Sequence, residues 1–161
     1  MRMVYPASVD FTADGQVAVR FPDFPSAEVI APDEMEAIAL AEDALIAAID
    51  GLMWSEDPIP DPGTTQNGML AVALPIEAAA KVAIYQTAAE TDRSVSGFAE
   101  SLGMSRDAFR HLTDLTAPVS LQDLETTLAL VGKRLIADIE HTNSGDLMYG
   151  GDDPIVVRPF E

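Results

Sequence analysis

Apolar and polar residues alternate near the start of the chain, which is typical of strands with one buried face. The alternation covers residues 4–11 and 16–21. The Asp14-Gly15 pair stands between the two runs, and Asp-Gly is a frequent turn of two-stranded hairpins. Residues 22–25 contain two prolines that break the pattern, and residues 27–30 can form a short third strand. We therefore predict three consecutive strands, of which the first two form a hairpin.

Near Asp33 the pattern changes to that of an amphipathic helix. Asp33 and Glu36 have capping-box spacing, in which each side chain bonds a free backbone N–H of the first turn. Residues 55–68 are rich in turn-forming types and predict a loop, and the apolar run 69–74 predicts another strand. The expected result is a β-β-β-α-β unit, an antiparallel-rich sheet with a helix on one face. The apolar face of that helix consists of Ile38, Ala41, Leu45, Ala48, Ile49 and Leu52.

Helical periodicity dominates the second half of the chain. The predicted helices span residues 76–90, 95–102, 105–113 and 121–131, and residues 134–139 predict a strand.

These elements predict an α+β fold with two domains. Residues 1–68 plus the strand 69–74 form the first domain, and residues 75–142 form an all-α domain. Residues 143–161 contain Gly-Gly, Asp-Asp and two prolines, which predicts an extended or flexible tail.

A helix-turn-helix pattern occupies residues 95–112. Ala99 is small enough for the point where the two helices cross, Gly103 suits the left-handed backbone of the turn, and Ser105 can cap the second helix. A generic helical hairpin is the alternative. The apolar residues that would join the two helices are Phe98, Leu102, Met104, Phe109 and Leu112.

The second helix of such a motif enters the DNA major groove. Arg106 and Arg110 share one face, where each can reach a guanine edge or a phosphate. Alternatively, Asp107 pairs with Arg110 or His111 on the surface. The candidate DNA-binding residues are Ser105, Arg106, Asp107, Arg110, His111, Arg93 and Lys81, and Lys133 and Arg134 are further candidates for phosphate contacts.

One such module on an acidic protein should bind DNA weakly. Two modules on a two-fold symmetric operator, about 34–36 Å apart, would bind more strongly. We therefore expect a homodimer or a higher oligomer. The candidate pairing strands are residues 134–139 and 155–157.

The charge is strongly negative and unevenly distributed. The chain has 27 acidic and nine basic residues, a net charge of −18, and residues 1–68 hold 13 acids but only Arg2 and Arg20 as bases. Solubility alone can explain such a balance. The alternative is a basic partner attracted over long range. The first half would repel nucleic acid, so any DNA binding is expected in the second half.

Composition argues against several classes of protein. The chain has no cysteine and only two histidines, which predicts neither disulfides nor a metal site. It also has no long apolar run and no secretory signal, which predicts a cytoplasmic protein that does not bind membranes.

A two-metal nuclease of the RNase H type needs carboxylates from a central strand, a helix and a following strand. Asp10 and Glu34 or Glu42 fit two of these places, but residues 69–74 supply none. We therefore predict no catalytic residue, metal or cofactor.

Several motifs together resemble the helix-turn-helix branch of the HicB antitoxin family over about residues 4–140. Each motif alone is weakly specific for the family, but their order and spacing together are strong evidence for the resemblance. Ser26-Ala27 departs from the frequent Gly-Cys of the family, and the tail from about residue 143 is atypical. The motifs are Tyr5-Pro6-Ala7, Asp14-Gly15, Phe21-Pro22-Asp23-Phe24-Pro25, the helix 33–45, Ile59-Pro60-Asp61-Pro62, Leu74-Pro75, residues 80–85, the pattern 95–112 and residues 124–135.

The resemblance implies a degraded RNase H-like first domain that has lost catalysis. It also implies a HicA-like toxin as partner, a small basic mRNA interferase, and repression of the chain's own operon through operator double-stranded DNA. Two other functions stay open, a stand-alone repressor with a ligand-sensing first domain and an orphan enzyme. The candidate toxin-binding residues are Asp23, Glu28, Glu34, Glu42 and Asp43.

Overall fold

The computed structural model describes residues 3–137 and the backbone of residues 156–159, and it confirms the α+β class. The predicted helices are present, with ends that differ by one or two residues. In chain order the elements are β1 (Val4–Phe11), β2 (Val17–Phe21), β3 (Phe24–Ala31), α1 (Glu34–Trp54), β4 (Leu70–Ala73), α2 (Ile76–Ala89), α3 (Val95–Ser101), α4 (Arg106–Thr113), α5 (Leu121–Leu130), β5 (Lys133–Ile136) and β6 (Val156–Pro159).

Strands β1 to β4 form one antiparallel sheet in the order β3-β2-β1-β4. Helix α1 packs across one face of this sheet, where Val9, Val19 and Val29 lie opposite one another. On the opposite face of the sheet, Ser8, Arg20 and Glu28 lie side by side, and no helix within the described residues covers them. The buried residues of α1 recur every fourth position and are Ala37, Ala41, Leu45, Ile49 and Met53.

Strand β3 begins earlier than the sequence pattern predicts. The expected break at residues 22–25 is only two residues long, because Phe24 and Pro25 already belong to β3. A proline is tolerated there because β3 is an edge strand, where one side of the backbone has no ladder partner. Phe24 packs edge-on against Tyr5, with the ring centroids 5.0 Å apart. Phe21 and Phe24 therefore belong to the core, while Pro22 and Pro25 stay exposed.

The loop 55–68 is held against the sheet by polar contacts. The Tyr5 hydroxyl donates to the carbonyl oxygen of Pro60 at 3.1 Å. The Asp23 carboxylate accepts the Gly63 N–H at 2.9 Å. Burial raises the pKa of Tyr5 above its ordinary value, so its hydroxyl remains a donor.

Helix α2 is the centre of the helical half, because ten of its 14 residues are buried. Helices α3, α4 and α5 pack against it. Hydrogen bonds join this half to α1 and the loop after it. The Tyr85 hydroxyl donates to the Asp57 carbonyl at 3.2 Å, and the Leu115 N–H donates to the Asp50 carboxylate at 3.2 Å. The buried apolar residues of both halves form one continuous core.

Strand β5 covers residues 134–136 of the strand expected at 134–139 and pairs antiparallel with β6, so the second half is not all-α as expected. Residues 156–159 of the expected tail are thus a strand joined to the helical half, and the rest of that tail lies outside the described residues. None of the described helices is long and apolar enough to cross a membrane.

Candidate functional site

Helices α3 and α4 are joined by a short turn that has the expected residues in place. Gly103 has a φ of +75°, a backbone conformation that side chains with a Cβ rarely adopt. The Ser105 hydroxyl accepts the Ala108 N–H at 3.1 Å and so caps α4. The rings of Phe98 and Phe109 meet edge-on at 5.7 Å and hold the two helices together. The packing against α3 therefore fixes α4 in place with its outer side facing away from α3.

Two arginines of α4 bind the end of α1. Nη2 atoms of Arg106 and Arg110 donate to the same oxygen, Oε1 of Glu56, at 2.6 Å and 3.2 Å. The Arg110 guanidinium carbon also lies 4.9 Å from the centre of the Trp54 ring, within cation–π range. The hydrogen bond from Arg106, with smaller effects of Arg110, lowers the pKa of Glu56. We call Trp54, Glu56, Arg106 and Arg110 the Glu56 cluster.

The backbone at Glu56 is unusual. After α1, the N–H of Glu56 donates to the Met53 carbonyl at 3.3 Å and the N–H of Asp57 donates to the Leu52 carbonyl at 2.9 Å. This is a Schellman cap, whose left-handed position is most often glycine. Here Glu56 takes that position with a φ of 58°. A side chain in this conformation costs about 1 kcal/mol.

The other candidates on α4 face solvent. Asp107 and His111 are exposed, and Arg93, just before α3, is exposed as well. Lys133 lies 3.8 Å from the Glu90 carboxylate, and Arg134 lies opposite Arg158 in the β5–β6 ladder. Asp107 and His111 are thus open to solvent, whereas the arginines, which are also partly exposed, bind Glu56.

Lys81 is not a DNA contact, contrary to the expectation from sequence. Its side chain is 1 % exposed. The ammonium donates to the carbonyl oxygens of Asp114 at 2.9 Å and Ala117 at 2.5 Å, and it pairs with Glu77 Oε1 at 2.8 Å. An ammonium group has three donors, so none is left for a phosphate. Lys81 instead holds the segment after α4 against α2.

The structure separates the predicted toxin-binding residues. Glu28 lies on the open face of the sheet, where it pairs with Arg20 at 2.6 Å. Glu42 and Asp43 are exposed on α1, which covers the opposite face. One flat partner surface cannot contact both sides of this helix-on-sheet unit. The set predicted from sequence is therefore not a single site.

Asp23 and Glu34 have less accessible positions. Asp23 is half-buried and bonded to Gly63. Glu34 is half-buried in the first turn of α1, where a carboxylate favours the helix N-terminus. We call the exposed carboxylates of α1, namely Glu36, Glu42 and Asp43, the α1 acid surface. Helix α1 contains five carboxylates and no basic residue, so no charge on the helix itself neutralises this surface.

Sequence reasoning missed Trp54 and Glu56. Glu56 fell within the predicted loop 55–68 without a role and Trp54 was assigned to no element, since a left-handed glutamate cannot be identified from a hydrophobic pattern. One available signal was the position of Glu56 two residues after the helix end, where glycine is usual. A second signal was the single tryptophan of the chain at a helix end.

Known proteins are similar in sequence to most of this chain. Residues 4–83 match the family described as HicB_like antitoxin of bacterial toxin-antitoxin system. Antitoxin HicB 2 of Photorhabdus laumondii is 32% identical over 133 residues, which cover 83% of this chain and 94% of that protein. Antitoxin HicB 1 of the same organism is 26% identical over 86% of this chain and 88% of its own length. Antitoxin HicB of Escherichia coli K12 is 23% identical over 83% of this chain and 96% of its own length. The match with the family begins at β1 and ends within α2, in the helical half. This chain belongs to the HicB antitoxin family.

Proposed function

We propose that this chain neutralises a small basic RNA-cleaving toxin of the HicA type by direct binding and represses its own operon by binding operator DNA. Helix α1 of the first unit binds the toxin, and the helical half binds the DNA. In this proposal the first unit is an RNase H-like fold without catalysis, since β4 supplies no carboxylate to a two-metal centre.

The observation that supports toxin binding is the charge of α1. An uncompensated row of carboxylates attracts a basic protein over long range and favours its docking. The open face of the sheet is a weaker candidate because Arg20 pairs there with Asp10 and Glu28. We therefore assign the toxin contact to the α1 acid surface, with Glu42 and Asp43 at its centre.

Co-expression tests this assignment. The full chain is expressed together with the small basic protein encoded beside its gene, and both growth and co-purification are measured. The wild type should restore growth, and Glu42→Lys and Asp43→Lys should lose most of the rescue because each reverses a charge at the contact. Asp14→Lys in the β1–β2 turn is the matched control, since it makes the same charge change away from α1. Equal rescue by all three variants would remove the α1 assignment, and no rescue by the wild type would remove the antitoxin proposal.

The α3–α4 pair supports operator binding as a helix-turn-helix. Its second helix carries four candidate contacts within six residues, with Ser105 as its cap. We propose that two copies bind together, because one helix with two arginines makes few phosphate contacts. Strands β5 and β6 each keep one edge without a ladder partner in the described part of the chain, and we place the dimer contact there.

A gel-shift assay with promoter DNA tests the operator proposal. Replacing Arg110 by Met should weaken binding about tenfold and reduce its salt dependence, since a cation near the phosphates is lost. Light scattering on the same complex should give two chains per duplex. Binding that is unchanged by Arg110→Met, or a complex with one chain, would contradict the proposal.

A further inference from the structure

The two arginines of α4 serve two incompatible partners if the proposed operator binding holds. We propose that Glu56 and Trp54 keep Arg106 and Arg110 away from DNA, and that operator phosphates bind only by replacing the Glu56 carboxylate. The Glu56 cluster is thus an autoinhibitory contact between α1 and the DNA-binding helix. This inference rests on the operator binding proposed above.

Charge is the first argument. Helix α4 contains two arginines and one aspartate, which together give one positive unit. The Glu56 carboxylate bonds both arginines through one oxygen and cancels that unit. In a chain with a net charge of −18, this local excess is what attracts phosphates to α4. The closed cluster therefore weakens the attraction for DNA.

The position of the carboxylate is the second argument. The Schellman cap after α1 needs a left-handed residue but no side chain, and glycine would serve it without strain. Trp54 is 71% exposed, so the core does not need its ring either. Neither side chain is required for the helix end on which it lies. Their shared contact is with the arginines of α4, in the other half of the protein.

The accessibility of the arginines is the third argument. Their side chains are 49% and 37% exposed, so phosphates can approach them while the cluster is closed. Solvent-exposed ion pairs are weak and change an equilibrium constant by less than about tenfold. The polyanion of an operator can therefore displace Glu56. The cluster weakens DNA binding by a modest factor and does not abolish it.

Operator affinity of Glu56 variants tests the inference. The probe is a labelled duplex from the promoter upstream of the gene that encodes this chain, titrated with the full chain at low salt. Glu56→Gly should bind about fivefold more tightly than the wild type, because it removes the carboxylate and suits the cap. Glu56→Gln should lie between the two, since its amide oxygen still accepts from arginine. Asp14→Asn, in the exposed β1–β2 turn, removes one negative charge away from α3 and α4 and should change affinity less than twofold.

The single tryptophan gives a second readout. Operator binding should change the Trp54 emission of the wild type, because Arg110 leaves the ring, and this change should be smaller in Glu56→Gly, whose Arg110 is held by Trp54 alone. Wild-type binding without an emission change, or an affinity of Glu56→Gly no higher than that of Asp14→Asn, would overturn the inference but leave operator binding intact. If no variant binds the duplex, the operator proposal fails, and the inference fails with it.

Discussion

Lys81 allows a sharp test of how the helical half is held together. Replacing it by Met keeps a side chain of similar length and removes only the ammonium. Two backbone carbonyls after α4 and the Glu77 carboxylate then lose their donor. The segment after α4, which sets the position of α4 on α2, loses its main polar anchor.

The size of the effect follows from opposing contributions. A hydrogen bond to a charged group contributes about 1.5–3 kcal/mol, and three are lost. Water recovers part of this, since the Glu77 side chain is 42% exposed. Lys81→Met also no longer buries an ammonium, which favours folding. The expected net loss is about 3 kcal/mol, a value typical of breaking a buried ion pair.

Urea unfolding monitored by circular dichroism measures this loss. With a slope of about 2 kcal/mol per molar urea, the midpoint should fall by about 1.5 M. Arg93→Met is the control, because it removes an exposed cation and should change stability by less than about 0.5 kcal/mol. A midpoint for Lys81→Met equal to that of Arg93→Met would refute the structural role of Lys81.

Four other predictions concern stability and are read by the same unfolding assay. The pKa of Glu77 is lowered when the chain folds, chiefly by Lys81, so stability should fall as the pH drops below about 4, and Glu77→Gln should flatten this dependence; an identical pH profile for Glu77→Gln would contradict it. Asp23→Ala should cost about 1 kcal/mol, since the Gly63 N–H loses its acceptor, and no loss would show that the loop is held by other contacts. Leu45→Ala should cost about 2–5 kcal/mol because the side chain is fully buried under the sheet, and a loss under about 1 kcal/mol would place Leu45 elsewhere. Ser105→Ala should cost about 1 kcal/mol through the lost cap of α4, and an unchanged midpoint would mean that α4 starts differently.

Periodicity predicted the elements well because burial on one face imposes it. The alternation in β1 and β2 and the spacing of Leu45 and Ile49 in α1 correspond to the faces that meet in the core. Phe24 and Pro25 were misplaced, because proline was interpreted as a strand breaker. On an edge strand its missing N–H costs little.

The functional residues were harder to predict, because their roles depend on contacts between distant parts of the chain. Lys81 was expected on the surface as a cation, yet carbonyls more than 30 residues away surround it. Glu56 meets Arg106 across 50 residues. Glu28 and Asp43 share a charge sign but lie on opposite sides of the sheet and helix. Sequence spacing indicates which side chains share a helix face, and it gives no information on which helix lies opposite.

In the proposed function α1 supplies the surface that binds a basic toxin. Calorimetric titration of the purified chain with the small basic protein encoded beside its gene, at low and at high salt, measures this binding. A tight complex is predicted whose affinity falls with salt and falls further in Asp43→Lys, with Asp14→Lys close to the wild type. Absence of heat at both salt concentrations, or an affinity that neither salt nor Asp43→Lys changes, would contradict the claim.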